Sequence, residues 1–286
     1  MPKEFIPEIK ASKGVLHPKK SQPHYQLKQY QPCDSLEPFI EQYWHVTWDL
    51  AKQTSHTQQN LPQPNIHFTF EREGSFFYGP VKSRFSRILM GKDEIFGIKF
   101  NLGALQVITQ KPLSEFVDVV LDLNQFLNID QQLENLTLDK SDCIEKKITA
   151  VENYFQRLLF DDRSPAYIKD LAKVTKLIKQ VQTITALIEN NHSITKVSQL
   201  VELSDLSERA LQRLFKKHIG LSPKWLIRKY RIHELLTRLE STQILTPDDW
   251  QKTIHDLEYV DQAHFIKEFK SFVGCTPQQY SALNFD

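Results

Sequence analysis

The chain has 286 residues, room for two ordinary domains, and its 40% hydrophobic and 25% charged residues exclude a disordered polymer. Thirty-six Lys and Arg nearly balance 35 Asp and Glu, so the net charge of +1 by itself points neither towards nor away from a polyanionic partner. No run of about 18 apolar residues is present and "MPKEFIPEIKASKG" lacks the apolar core of a signal peptide, so no membrane span and a cytoplasmic location are expected. Cys33, Cys143 and Cys275 lie far apart without metal spacing, which suits a reducing compartment and no zinc site.

The first 30 residues are polar and dotted with proline, a segment ordered only by docking. From Tyr30 to about Phe100 the pattern has period two. In "NIHFTFE" the apolar Ile66, Phe68 and Phe70 alternate with His67 and Thr69, and Phe96, Ile98 and Phe100 share one face of "IFGIKF". Glycines at 74, 79, 91 and 97 punctuate these runs, which predicts a β-rich sandwich or barrel-like domain.

After Gly103 the signal turns helical. Ile144, Ile148, Val151, Phe155 and Leu158 form one stripe of a helix over 143–159, and "DDRSP" (161–165) marks a domain boundary. A second stripe follows with Leu171, Val174, Leu177, Ile178, Val181, Ile184, Leu187 and Ile188. It suits packing within its own domain better than a dimer seam.

The last 183 residues hold only two glycines, in "LQRLFKKHIGLSPKWL" and "FIKEFKSFVGCTPQQY", and these segments repeat at an offset of 54. Ser207 matches Asp261, Leu211 matches Phe265, Phe215 matches Phe269, Gly220 matches Gly274, and Pro223 matches Pro277. Each unit predicts a helix capped by Ser207 or Asp261 and ended by a glycine in the left-handed region. A Ser-Pro or Thr-Pro pair then opens the next helix, hydroxyl at the cap and proline in the first turn. A shorter helical piece precedes each, "TKVSQLVELSDL" and "WQKTIHDLEYV", giving two helix-turn-helix units at about 194–220 and 248–274.

Residues 166–283 therefore resemble the DNA-binding domain of AraC/XylS-type transcription regulators, carried by "LSERALQRLFKKHIGLSPKWLIRKYRIHELLTRL" and "DQAHFIKEFKSFVGCTPQQY". The stretch 30–105 is similar to the β-rich N-terminal domain that often accompanies it, through "YWHVTWDL", "LPQPNIHFTFE", "YGPVKSRFSR" and "FGIKFNLGAL". Together the two resemblances cover roughly nine-tenths of the chain. The expected fold is α+β: a β-rich sensing or oligomerisation domain over 1–140, a linker helix over 141–163, and an all-α DNA-binding domain with two helix-turn-helix subdomains over 164–286. The resemblance implies a bacterial, sequence-specific regulator that binds double-stranded DNA, is not an enzyme and needs no cofactor. A small-molecule effector, RNA polymerase and a second copy of the chain are further candidate partners.

In such a domain the exposed N-terminal half of each second helix meets base edges. Those positions are Arg209, Gln212 and Arg213 in the first unit and Gln262, His264 and Lys267 in the second. Arg209 and Arg213 suit guanine, and Gln212 suits adenine. Lys216, Lys224, Arg228 and Lys229 are the expected phosphate contacts. From Glu208 to Arg238 nine Lys and Arg stand against two acids, whereas from Pro247 to Asp286 three stand against seven. Phosphate neutralisation dominates non-specific affinity, so the first unit is the expected anchor.

The turns depart from the family pattern, and one residue departs from the repeat. The turns usually carry a small residue and then a glycine, but here Val201 precedes Asp205 and Ile254 precedes Glu258. Glu268 also stands where the first copy has Leu214. The alternative reading is a degenerate regulator that acts as a protein-interaction module without touching DNA. An alkyl-transferring enzyme would need an activated thiolate, and Cys33 and Cys275 have no such neighbours in sequence. His24, His45, His56 and His67 form no tight array for a metal. Trp44, Trp48, Tyr43 and Tyr78 read as core more readily than as a ligand pocket.

Overall fold

The alternating stretch folds into antiparallel strands and the later stripes into helices. The computed structural model describes residues 4–5, 14–50, 55–127, 129, 131–139, 143–241, 254–255, 259 and 261–285. The strands are β1 (Glu4–Phe5), β2 (Gln26–Tyr30), β3 (Ile40–Leu50), β4 (His56–Asn60), β5 (His67–Glu71), β6 (Gly74–Tyr78), β7 (Phe85–Leu89), β8 (Gly91–Phe100) and β9 (Val120–Asp122). The helices are α1 (Pro18–Ser21), α2 (Gln106–Thr109), α3 (Leu123–Phe126), α4 (Gln131–Leu138), α5 (Ile144–Phe160), α6 (Leu171–Asn190), α7 (Val197–Ser204), α8 (Glu208–His218), α9 (Pro223–Ser241), α10 (Gln262–Val273) and α11 (Pro277–Phe285). The fold is thus α+β, with a β-rich first half and a helical second half.

Seven strands form one antiparallel sheet in the order β1-β2-β3-β8-β5-β6-β9, and β4 pairs with β7 as a separate ribbon. Period two decides which residues of β5 go where. Phe68 and Phe70 join Phe77, Phe96, Ile98 and Phe100 in the main core, while His67, Thr69 and Glu71 take the other face.

Helix α5 covers the apolar face of this sheet. Ile148, Val151, Phe155 and Leu159 are buried in the same core as the strand phenylalanines, with Leu159 taking the deep position expected of Leu158. The expected linker segment 141–163 therefore carries a helix that is part of the β-domain core. Lys147 is buried beside it, its Nζ 2.8 Å from Oε1 of Glu94, whose Oε2 lies 3.2 Å from Nε2 of His45. Helix α6 spends its stripe inside the chain: Ile178 belongs to the sheet core, while Val181, Ile184 and Ile188 belong to a helical core.

The helical half has two cores. Leu200, Leu211, Phe215, Ile219, Leu226 and Ile227 build the first, and Ile232, Leu235, Tyr259, Phe265, Phe269 and Tyr280 the second. Helix α9 serves both, Leu226 and Ile227 in one and Ile232 to Leu239 in the other. The β domain touches each core. Leu16 and Leu61 enter the second, where the His17 ring lies 4.4 Å from that of Tyr280. The 3-10 turn Leu113–Phe116 meets the end of α8, so a Cβ at Gly220 would fall 2.7 Å from the Leu113 carbonyl oxygen.

Tyr43 and Trp48 are core residues, but Trp44 and Tyr78 line a cavity instead. His24 stacks on His56 at 4.1 Å, and His67 Nδ1 accepts from Trp44 Nε1 at 3.2 Å. Among the described residues, no described helix is long and apolar enough to cross a membrane.

Candidate nucleic-acid interface

Helix α7, a short turn and helix α8 make the first unit. Gln199 in the first turn of α7 accepts from the backbone N–H of Thr195 and Lys196 at 2.8 and 2.9 Å, fixing the entry to α7. The turn holds Asp205 in the left-handed region at φ 53°, where the family pattern has glycine. Ser207 then caps α8, its side chain accepting from the Ala210 N–H at 3.3 Å. Gly220 ends the unit at φ 88°, its N–H bonded to the Phe215 carbonyl at 2.8 Å. Ser222 caps α9 by accepting from the Trp225 N–H at 3.1 Å.

These caps and the buried Leu211 and Phe215 fix the rotation of α8 about its axis. Arg209, Gln212, Arg213 and Lys216 are all exposed on its outer side. Gln212 donates to Glu208 Oε1 at 2.9 Å, one turn back along that row. Three hydrogen-bonding side chains, Arg209, Gln212 and Arg213, thus share the exposed side of α8. Lys224 is exposed at the start of α9.

The other two expected phosphate contacts are placed differently. Lys229 is 4% exposed, with Nζ 4.0 Å from the Tyr230 ring centre, so burial takes it away from any phosphate. Arg228 is half-buried and turned towards the second unit, its Nε donating to Glu268 Oε2 at 2.6 Å. The charge surplus over 208–238 therefore overstates the positive surface, because sequence counts do not distinguish a solvated lysine from a packed one.

The second unit is described from its second helix onwards. Its first helix, expected in "WQKTIHDLEYV", and the turn at Glu258 lie largely outside the described residues. Asp261 caps α10, accepting from the His264 N–H at 2.7 Å, and Gly274 ends it at φ 90°. Gln262, His264 and Lys267 are all exposed, and at the offset of 54 Lys267 falls on Arg213, whereas Gln262 and His264 fall on Glu208 and Ala210.

A residue outside the expected set holds this helix. Glu268 is 2% exposed and accepts from Arg228 Nε and, at 2.7 Å, from the Tyr259 hydroxyl. Burial and then the Glu268 charge raise the Tyr259 hydroxyl well above its usual pKa, so it stays a donor. Arg231 lies over the Tyr259 ring at 4.0 Å. The signal in the sequence was a glutamate within an apolar stripe, where a charge needs a buried partner.

A helix-turn-helix domain model matches residues 200–282, across both units just described. Residues 200–282 are thus an AraC-type helix-turn-helix domain. A domain of unknown function (DUF6597) matches residues 28–122, upstream of the AraC-type domain. An uncharacterized HTH-type transcriptional regulator of Haemophilus influenzae is 29% identical over 100 residues, 34% of this chain and 31% of its own length. The raffinose operon transcriptional regulatory protein RafR of Pediococcus pentosaceus is 27% identical over 124 residues, 43% of each chain. The chain thus spans less than half the length of these relatives. Among solved structures, ToxT from Vibrio cholerae aligns over 91% of this chain and 98% of its own at 11% identity, with a TM-score of 0.38. A further ToxT structure, bound to (E)-4-(8-methylnaphthalen-1-yl)but-3-enoic acid, gives 0.37.

Proposed function

We propose that the protein is a sequence-specific transcription regulator of the cytoplasm, reading duplex DNA with its AraC-type domain. The observation that supports this reading most is the row Arg209, Gln212 and Arg213, exposed on a helix whose opposite side is buried and both of whose ends are capped. Arg209 and Arg213 pair with guanine edges and Gln212 with adenine, while Lys216 and Lys224 contact phosphates. Gln262, His264 and Lys267 read a second, weaker half-site. The β domain modulates this activity through a small ligand or through dimerisation, and RNA polymerase is the protein partner.

Helix α9 sets the spacing. Its 19 residues span about 28 Å, and the widths of the flanking helices bring the two reading helices towards one DNA turn. The test is fluorescence anisotropy with duplex fragments from the protein's own locus, titrated against salt. Binding whose affinity falls steeply with salt, and falls further in Arg213→Ala than in Lys267→Ala, supports the reading. Absence of salt-sensitive binding at low ionic strength would leave a protein-interaction module in its place.

A further inference from the structure

The second face of β5 is polar yet covered. The ribbon of β4 and β7, with the loops around 60–65 and 79–81, lies opposite His67, Thr69 and Glu71 and leaves a cavity of about 170 Å³. An engineered apolar cavity of roughly 150 Å³ holds benzene, so this space accepts about one six-membered ring. Its walls are not those of a packing fault. Glu71 is 4% exposed and accepts from Thr69 Oγ1 at 2.7 Å, from the Tyr78 hydroxyl at 3.3 Å and from Arg87 at 2.6 Å. Glu71 is the buried partner of this pair, while the Arg87 side chain is 26% exposed, and a carboxylate taken out of water beside an open space asks for a use.

One wall is aromatic by construction. Trp44 pairs with Gly97 across β3 and β8, and a Cβ at Gly97 would fall 2.1 Å from the indole. The missing side chain lets the indole lie on the strand. Its Nε1 donates to His67 Nδ1, which leaves the neutral ring's proton on Nε2 as a donor. The charges nearby cancel: Arg87 matches Glu71, and Lys99 near His67 is matched by Glu41 at 2.6 Å. An ion entering here would lose its hydration and find no spare counter-charge among the described residues that line the space.

The rim also reaches both reading helices. Leu61 lies in the core of the second unit, and Arg84 donates to Gln59 Oε1 at 3.2 Å and to the Val273 carbonyl at 3.4 Å, at the end of α10. On the other side Gly79 donates its N–H to Val119, in the loop whose Leu113 and Val117 pack on Gly220 at the end of α8.

We propose that this cavity binds an uncharged, hydrogen-bonding molecule the size of a single ring, stacked by Trp44 and held by the Glu71–Arg87 pair. The inference rests on the effector-sensing part of the function proposed above. Three probes of one size separate the charge requirement: benzamide, benzoate and benzamidinium, added to the full chain and followed by saturation-transfer NMR and thermal shift. Benzamide is expected to bind, with both ions at least roughly tenfold weaker. Glu71→Gln leaves Arg87 unmatched and shifts preference to benzoate; Arg87→Met shifts it to benzamidinium. Val81→Trp, which fills the space, abolishes benzamide binding while the far-UV circular dichroism stays unchanged.

Lack of saturable benzamide binding at millimolar concentration overturns the proposal. Ions that bind wild type as well as benzamide, or binding that survives Val81→Trp, also overturn it. DNA affinity is measured on the same samples. Failed probe binding with intact DNA binding removes the cavity site alone, whereas the converse removes the regulator and leaves the cavity.

Discussion

The guanidinium Nε of Arg228 lies 2.6 Å from Oε2 of Glu268, and this contact joins α9, the helix between the two units, to α10. Glu268 is 2% exposed, so removing its partner strands a charge inside the protein. Arg228→Ala is expected to destabilise folding by about 2 kcal/mol, below the range for fully buried pairs because a third of the Arg228 side chain meets solvent. Glu268→Leu in the Arg228→Met background restores much of that loss, as denaturant titration would show. A double variant no more stable than Arg228→Ala would mean that the carboxylate is satisfied without the arginine.

The turn of the first unit gives an opposed pair of expectations. Asp205 sits at φ 53°, and glycine adopts that conformation without a Cβ clash, so Asp205→Gly should stabilise by roughly 0.5–1 kcal/mol. Ser207→Ala removes the cap of α8 and should destabilise by about 1 kcal/mol. Both are read from denaturation midpoints at constant slope. A destabilised Asp205→Gly would show that the aspartate side chain holds the turn.

Salt dependence separates phosphate contacts from buried cations. Lys216→Ala and Lys224→Ala should each lower the slope of log affinity against log salt by about 1. Lys229→Ala should leave the slope unchanged and reduce stability instead, since Lys229 is buried against Tyr230. A lowered slope for Lys229→Ala would mean that the helix turns outward on DNA.

Stability should depend on pH through two histidines. Burial lowers His67 to about 3 and His218 to about 4, with Lys99 and Lys217 adding to the effect. Between those values and the ordinary 6.5, the unfolded chain binds protons that the folded chain refuses. The folded state is therefore favoured above pH 6.5 and loses about 1.4 kcal/mol per pH unit per histidine as the pH falls towards 4. His67→Gln should remove one proton's worth of that slope in urea titrations run from pH 7 to 4.5. An unchanged slope would place the titration elsewhere.

The helical half was legible because its determinants are local. Ser207, Asp261, Gly220 and Gly274 act through their own backbone bonds, and a capping hydroxyl or a left-handed glycine leaves its mark within a few residues. The exposure of Arg209, Gln212 and Arg213 on α8 followed from the same spacing. What escaped were pairings between distant residues. Nothing near Lys229 in the chain announces that it is buried, and nothing near Arg228 points to Glu268, 40 residues on. The polar row His67, Thr69, Glu71 was visible as alternation, but its cover, the ribbon of β4 and β7, is a long-range pairing that periodicity does not specify.

Leu16 and Leu61 belong to the β half, yet they are sealed among Phe265, Phe269 and Tyr280 of the last helices. A fragment trimmed to the helical region would enter solvent with that greasy socket bare, and self-association through it would confound any titration. Assays of α10 therefore need a chain that keeps Leu16 and Leu61.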